Sequence, residues 1–264
     1  MARLGSLLPW SLKALSKALS AGAAVCCVAA PVLANEPVRL ELVLAVDCSS
    51  SVNRDEFILQ MEGIASAFED PAVLAALAQT GALGIAVSLL QWSSAGAQVK
   101  AIPWTQVGSD ADAVAFAAQV RATGRVVSGG ATALGNAIDA AAAWTRTNGY
   151  QGERVVVDVS GDGRSNEGGS PAFARAAANR AGITINGLAI LNEEPALARY
   201  YIAGVVGGPG SFLLTADDFE DFAVAMRRKL YFEIVGPPIV EAPQGAPEAA
   251  PPGARLLSRL WPQE

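Results

Sequence analysis

Histidine is missing from all 264 residues of this chain. Its absence removes every nucleophile–histidine pair and every histidine-ligated zinc site. Cysteine is scarce: Cys26 and Cys27 lie near the start, and Cys48 stands alone after them. A lone thiol cannot build a cysteine zinc site. Lysine is nearly as rare, with Lys100 and Lys229 the only two beyond residue 34, and neither falls in a motif that would make it a catalytic base. Positive charge is in deficit, with 19 Lys and Arg against 25 Asp and Glu, which argues against nucleic acid as a partner. These absences leave oxygen chemistry: a metal here needs carboxylates, hydroxyls or carbonyls as ligands.

Residues 1–34 read as a secretory signal peptide. Arg3, Lys13 and Lys17 form a basic start with no acid before Glu36, and an alanine-rich apolar run covers about residues 19–30. Val32 and Ala34 then stand three and one positions before a cut after Ala34, the layout of a cleaved leader. The run is shorter than the ~20 residues of a membrane span, so no transmembrane segment is expected after its removal. The mature chain is expected in the periplasm or outside the cell. Removal takes away three basic residues and no acid, moving the net charge from −6 to −9. Cys48 then has no partner for an internal disulfide despite an oxidising destination. Residues 35–235 are expected to form one domain standing on its hydrophobic core. Residues 236–264 hold seven of the fifteen prolines and read as an extended, poorly ordered tail. Its stretch "ARLLSRLW" has an apolar stripe too short to carry much meaning.

Between these ends, strands alternate with helices. Val38 to Val46 is a Val/Leu-rich run, the signature of a strand buried on both faces. Asn53 with Glu56 three residues on resembles a capping box. Phe57, Ile58, Met61, Ile64, Ala65 and Phe68 then repeat at helical spacing, predicting an amphipathic helix over 53–70. Residues 83–92 and 97–104 read as a pair of strands joined by a short turn. Helices are expected over 109–122, in the alanine-rich segment after "VVSGGATALG", over 170–182 with Pro171 in its first turn, over 195–206, and over 216–232. Strands are expected over 154–163, 183–191 and 211–215. The pattern implies an α/β, doubly wound, mostly parallel sheet with one antiparallel edge strand and helices on both faces.

In such folds ligands bind outside the carboxyl ends of the strands. The first strand ends in "DCSSS". Alternate side chains of an extended stretch point the same way, so Asp47, Ser49 and Ser51 can converge while Cys48 and Ser50 face elsewhere. "GGATALG" adds Thr132, and "SGDGRSN" adds Asp162 at a turn between glycines. Two carboxylates and three hydroxyls suit a small hard cation, Mg²⁺ first, with Mn²⁺ or Ca²⁺ as substitutes. Asp158, inside the same strand as Asp162, competes for the role; Asp162 is preferred because it lies at the bend, and Asp158 is expected to bond buried backbone or a hydroxyl. Singly, each residue has a plainer use: Ser51 or Asn53 as cap of the first helix, Thr132 as cap of the alanine-rich one. Gln91, Trp92 and Ser93 stand at a strand end where they would flank the site, with Trp92 read as core. Tyr200 and Tyr201 read as helix packing.

The order Asp-x-Ser-x-Ser, Gly-x-Thr, Asp-Gly resembles the von Willebrand factor type A (vWA) domain, over about residues 37–233. The resemblance implies a metal-ion-dependent adhesion site (MIDAS) in which Asp47, Ser49, Ser51, Thr132 and Asp162 hold the ion. The "DVSGDG" stretch and the secretory leader are also similar to a secreted bacterial vWA group classed as a domain of unknown function. The expected activity is binding rather than catalysis: a protein partner's Asp or Glu carboxylate completes the coordination of Mg²⁺. The alternatives are a phosphatase, which would want a second Asp where Ser49 stands, a hydrolase, which would need a base for a serine nucleophile, and a structural domain whose metal only orders loops.

Overall fold

The computed structural model describes residues 35–236 and a two-residue strand at Arg255–Leu256. The expected signal peptide and nearly all of the expected tail lie outside the described residues. Seven strands form one sheet in the order β3-β2-β1-β4-β5-β6-β7. They are β1 (Glu36–Asp47), β2 (Ile85–Trp92), β3 (Gln98–Val107), β4 (Tyr150–Gly161), β5 (Ile183–Ile190), β6 (Phe212–Ala216) and β7 (Arg255–Leu256). Only the β2–β3 pair is antiparallel; β1 runs parallel to β2 and β4, and the remaining pairs are parallel too.

β1 lies inside this sheet between β2 and β4, and from Leu40 to Asp47 it is fully buried. Its side chains divide between two cores. Leu40, Leu42, Leu44 and Val46 pack with α1 (Arg54–Glu69), α2 (Pro71–Ala78), α3 (Asp110–Ala122) and α7 (Phe222–Val235). Val43 and Ala45 pack with α4 (Leu134–Trp144), α5 (Pro171–Arg180) and α6 (Leu197–Gly204). This period-two division is why the strand reads as continuously apolar: each face has its own layer of helices. Among the described residues no helix is long and apolar enough to cross a membrane.

Local signals set the helix ends. Asn53 Oδ1 accepts from the Asp55 and Glu56 amides, and Glu56 returns a carboxylate to the Asn53 amide at 2.7 Å, completing the capping box. Pro71 at the start of α2 has no amide to continue α1, and Asp70 caps the new helix by accepting from Ala72 N. This second helix is not signalled by the hydrophobic spacing. Two expectations need correction. Ile58 is half exposed rather than core; it lies one residue past Phe57 on the rim of the buried stripe. The closing helix starts at Phe222, not 216, because Ala216 still belongs to β6, paired with Ile190.

Asp158 also departs from expectation. Its partner is neither backbone nor a hydroxyl but Lys229 of α7, whose Nζ lies 2.9 Å from Asp158 Oδ1 and 3.0 Å from Glu233 Oε1. All three side chains are buried. Asn186 Nδ2 donates to both Glu233 oxygens at 2.8 Å, and its Oδ1 accepts from Phe212 N. Lys229 Nζ also sits over the Phe212 ring at 4.4 Å. This network ties α7 to β4, β5 and β6. Burial, and then the charge of Glu233, push the Asp158 carboxyl up, while Lys229 opposes them. Removing one member of a buried ion network strands the others. Lys229→Met is therefore expected to lower the urea unfolding free energy by roughly 3–5 kcal/mol; a loss below 1 kcal/mol would show that the network contributes no net stability.

Candidate metal centre

β1 and β4 are neighbours in space although β2 and β3 come between them in the chain. Strand order reverses between them, and their carboxyl ends flank the crevice that such a switch point opens. Asp47 ends β1, and Asp162 directly follows β4.

The loop after β1 folds its polar groups onto one another. Ser49 N donates to Asp47 Oδ1 at 2.7 Å. The hydroxyls of Ser49 and Ser51 are 3.1 Å apart, and Ser51 Oγ donates to Asp162 Oδ1 at 2.7 Å. Each hydroxyl has one proton, so Ser51, having given its own to Asp162, accepts from Ser49. Four of the five candidate residues thus form one hydrogen-bonded chain across the two strand ends. Asp47, Ser49 and Asp162 are buried, and Ser51 is exposed, so the chain meets solvent at Ser51.

Thr132 belongs to the adjoining loop and is buried. Its backbone is tied to the third motif: its N donates to Asn166 Oδ1, and its O accepts from Asn166 N and Ser165 Oγ. Its hydroxyl is 3.9 Å from where a Cβ on Gly163 would stand. No hydrogen bond joins that hydroxyl to the Ser49–Ser51–Asp162 chain. Nor does Thr132 cap the alanine-rich helix; α4 begins after Ala133 with no side-chain cap. The cap of α1 is Asn53, not Ser51. The two hydroxyls whose plainer use was helix capping are therefore not used that way.

Several residues that hold these loops are invisible as motif members. Ser50 Oγ accepts from Gly130 N at 2.8 Å, and Ser50 N donates to Gly130 O, stitching the first loop to the second. Gln91 accepts from the Val126 and Val127 amides and donates to Gly124 O. Trp92 is core, and Ser93 O accepts from Ala133 N. Arg125 reaches back to the first loop: its Nη1 donates to Val52 O, its Nη2 to Cys48 O and Ser49 O, and its Nε to Val127 O. Tyr200 accepts from Ser165 N through its hydroxyl. Tyr201 is more than packing. Its hydroxyl is buried, has no hydrogen-bond partner, and stands 3.0 Å from where a Cβ on Gly161 would be, with Asp47 Oδ2 at 2.8 Å from the same point.

Two carboxylate oxygens, Asp47 Oδ2 and Asp162 Oδ2, are buried and have no hydrogen-bond partner. An orphaned carboxylate oxygen costs stability unless a proton or a cation serves it. Burial, then the nearby charge of Asp162, push the Asp47 carboxyl up to about 7, and burial likewise raises Asp162. Among the described residues no group of three or more His, Cys, Asp and Glu could hold a metal; the donor set has only two carboxylates, with hydroxyls for the rest. Such a hard, oxygen-only set with two unserved carboxylate oxygens fits a small divalent cation. Cys48, between Asp47 and Ser49, faces the hydrophobic core, and burial followed by the Asp47 charge pushes its thiol up to about 12.

A doubly wound sheet with one antiparallel strand, and these loops at its switch point, define the class: the fold is that of a vWA domain. Three solved structures share it. Proximal thread matrix protein 1 from the mussel byssus, in a form with a zinc-occupied MIDAS motif, matches with a TM-score of 0.54 and 16% identity, covering 76% of this chain and 49% of that one. The von Willebrand factor type A protein from Catenulispora acidiphila gives 0.50 and 16%, covering 75% and 43%. The vWF domain of the type V pili tip protein Mfa5 from Porphyromonas gingivalis gives 0.53 and 11%, covering 78% and 98%. The chain thus spans about half the length of the mussel protein. No curated protein matches it. Within the class, the chain belongs to the family described as "Protein of unknown function (DUF1194)", whose model matches residues 37–238.

Two outcomes follow from this geometry. Without metal, Asp47 has a folded value of about 7 against an ordinary 3.8. Its contribution to stability is whole below about pH 4 and is lost as pH rises through about 7. Melting temperatures in EDTA should therefore fall between pH 5 and pH 8, and Asp47→Asn should flatten that slope; an unchanged slope in the variant would locate the effect elsewhere. Gly161→Ala places a methyl within 3.0 Å of both Asp47 Oδ2 and Tyr201 Oη. It should cost about 1–3 kcal/mol by overpacking, measured by urea unfolding.

Proposed function

We propose that the protein is a secreted or periplasmic metal-dependent binding module. Asp47, Ser49, Ser51, Thr132 and Asp162 hold Mg²⁺, which Mn²⁺ or Ca²⁺ can replace, and an Asp or Glu of a protein partner completes the coordination. The observation that carries the reading is the pair of buried carboxylates, each with an unserved oxygen: Asp47 accepts from the Ser49 amide, and Asp162 from the Ser51 hydroxyl, which contacts that of Ser49. Five side-chain oxygens leave at least one position of a six-coordinate ion open. An incoming carboxylate is then a favourable ligand. The zinc-occupied MIDAS motif of the mussel byssus protein and the pilus setting of the Mfa5 domain are in keeping with a metal-dependent adhesive role outside the cytoplasm. The proposed signal peptide, residues 1–34, supplies the route.

Binding rather than catalysis is supported by what the side chains are already doing. There is no histidine. Of the lysines among the described residues, Lys229 is committed to Asp158 and Glu233, and Lys100 lies over the Trp144 ring at 4.8 Å. Neither a histidine nor an uncommitted lysine is therefore available as base for a serine nucleophile, and Asp162, which accepts from Ser51, is assigned to the ion in this reading. A purely structural role for the metal is less well supported, because Ser50, Arg125, Gln91 and Asn166 already tie the loops together.

A ligand of the folded state raises the melting temperature, and an ion at ~100 times its dissociation constant adds about 2.7 kcal/mol. Millimolar Mg²⁺ or Mn²⁺ should raise the melting temperature of the purified protein over that in EDTA, and Asp47→Ala should abolish the rise. Partners captured from the cell envelope should be released by EDTA. No thermal shift with either ion, or capture indifferent to chelator and to Asp47→Ala, would overturn the reading.

A further inference from the structure

The two sides of the sheet are built differently. β3, at one edge, carries Lys100 and Pro103 within its span, and its register against β2 shifts twice, between Val87 and Leu89 and between Leu89 and Leu90. Lysine, proline and bulges are the devices that keep an edge strand from pairing with another chain. β6, on the other side, reads Phe-Leu-Leu-Thr-Ala and has none of them. Its hydrogen bonds show which groups face outward. Phe212 N donates to Asn186 Oδ1 of β5, and Ala216 O accepts from Leu191 N, just past the end of β5. Successive residues of a strand turn their N–H and C=O to opposite sides. Phe212, Leu214 and Ala216 therefore face β5, while Leu213 and Thr215 turn their donors and acceptors away from it. An uncharged strand presenting such groups is a template for a further strand.

Arg255 and Leu256 stand there, in parallel register with Phe212 and Leu213. They arrive by an unusual route. The steps from β4 to β5 and from β5 to β6 cross the sheet in one direction, through α5 and α6 on one face. The step to β7 continues in that direction, but the helix before it, α7, lies on the opposite face. Counted through α7, this crossover has the opposite hand to the two before it, and one hand accounts for about 98% of such connections. β7 is therefore not held by the ordinary winding of the fold; its place depends on the pairing itself. The chain is long enough to reach. α7 ends beside β4, where Arg154 Nη2 donates to Glu233 O and Ile234 O, three strand spacings or about 14 Å from β7. The 18 residues 237–254, six of them proline, can span that distance several times over at ~3.1 Å per extended residue.

We propose that the outer edge of β6 is a strand-docking site whose occupant is the chain's own tail, residues 255–259, paired in parallel and detachable. Continuing the register places Leu257 opposite Leu214, Ser258 opposite Thr215 and Arg259 opposite Ala216, so the tail matches β6 from end to end. In a parallel ladder the N–H and C=O of Leu213 meet main-chain groups of residues 255 and 257, which makes the Leu257 amide the donor to Leu213 O. The stretch "ARLLSRLW" thus has a use as a strand that it lacks as an apolar stripe. A strand tethered by a short linker meets its site at an effective concentration on the order of millimolar, enough to cover the edge and still exchange. While it is docked, no strand of another molecule can add to β6. This inference is independent of the metal-binding reading.

Amide hydrogen exchange read residue by residue by NMR tests it, in the unaltered protein, in Leu257→Pro and in Ala249→Pro. Leu257→Pro removes the N–H aimed at Leu213 O and leaves every residue of the domain in place. The Leu213 and Thr215 amides should be protected in the unaltered protein and exchange at least about tenfold faster in Leu257→Pro. The Leu214 amide, which faces β5, should not change, and Ala249→Pro, in the linker, should match the unaltered protein. Equal exchange at Leu213 in all three proteins would overturn the inference: fast, the edge is uncovered; slow, something other than the tail covers it. Faster exchange at Leu214 as well would also overturn it, because the proline would then loosen β6 as a whole. Light scattering over a dilution series identifies the donor of the strand. A monomer whose Leu213 protection survives dilution supports the chain's own tail. Protection that disappears as a dimer dissociates assigns the strand to a second copy and overturns the assignment made here.

Discussion

A carboxylate without exposed surface ends an interior strand of the sheet, and the surrounding architecture is arranged around it. Asp47 is buried because β1 lies between β2 and β4 with helices over both faces. Burial makes its charge expensive, and the loop answers with an amide from Ser49 on one oxygen while the other remains unserved. The parallel sheet brings Asp162 to the same edge, where Ser51 links the two carboxylates' neighbourhoods. The fold thus concentrates unpaired negative charge at one point on its rim, a state that a bound cation relieves.

Much of the fold can be read in the sequence because it is written in short-range signals. The unbroken apolar run at Val38–Val46 announces a strand covered on both sides, and the Asn53–Glu56 box places the start of α1 to within a residue. The signals fail where the cause is distant. The α2 helix follows an obvious stop at Pro71 with too few turns to display a period. The sequence puts the start of α7 early because Ala216 and the turn after it show no break in composition. Ile58 fits the spacing of the buried stripe, yet lies at its margin; spacing identifies the face of a helix but not how far the neighbouring layer reaches across it.

The candidate centre divides in the same way. Its five side chains are legible because carboxylates and hydroxyls at strand ends stand out against apolar strands, and period-two geometry says which of Asp47 to Ser51 share a side. The residues that hold them do not stand out. Arg125 is a single basic residue in a loop, and its partners are backbone carbonyls, which a sequence does not display. Lys229 falls in no motif, while the acid that meets it, Asp158, is far along the chain. Tyr201 looks like helix packing because its ring does pack; only its hydroxyl reaches toward Asp47. Interactions between a side chain and the main chain, or across long sequence separation, leave no local pattern to find.

Cys48 has a practical consequence for anyone watching this protein open and close. Its thiol is buried and held protonated up to about pH 12, so in the folded molecule almost no thiolate exists to react. With residues 1–34 removed, it is also the only thiol in the chain. Alkylation must therefore wait for the first loop to part from the core, and each labelled molecule records one such excursion. Without residues 1–34, the chain would carry a native single-site clock for the opening of its own candidate centre.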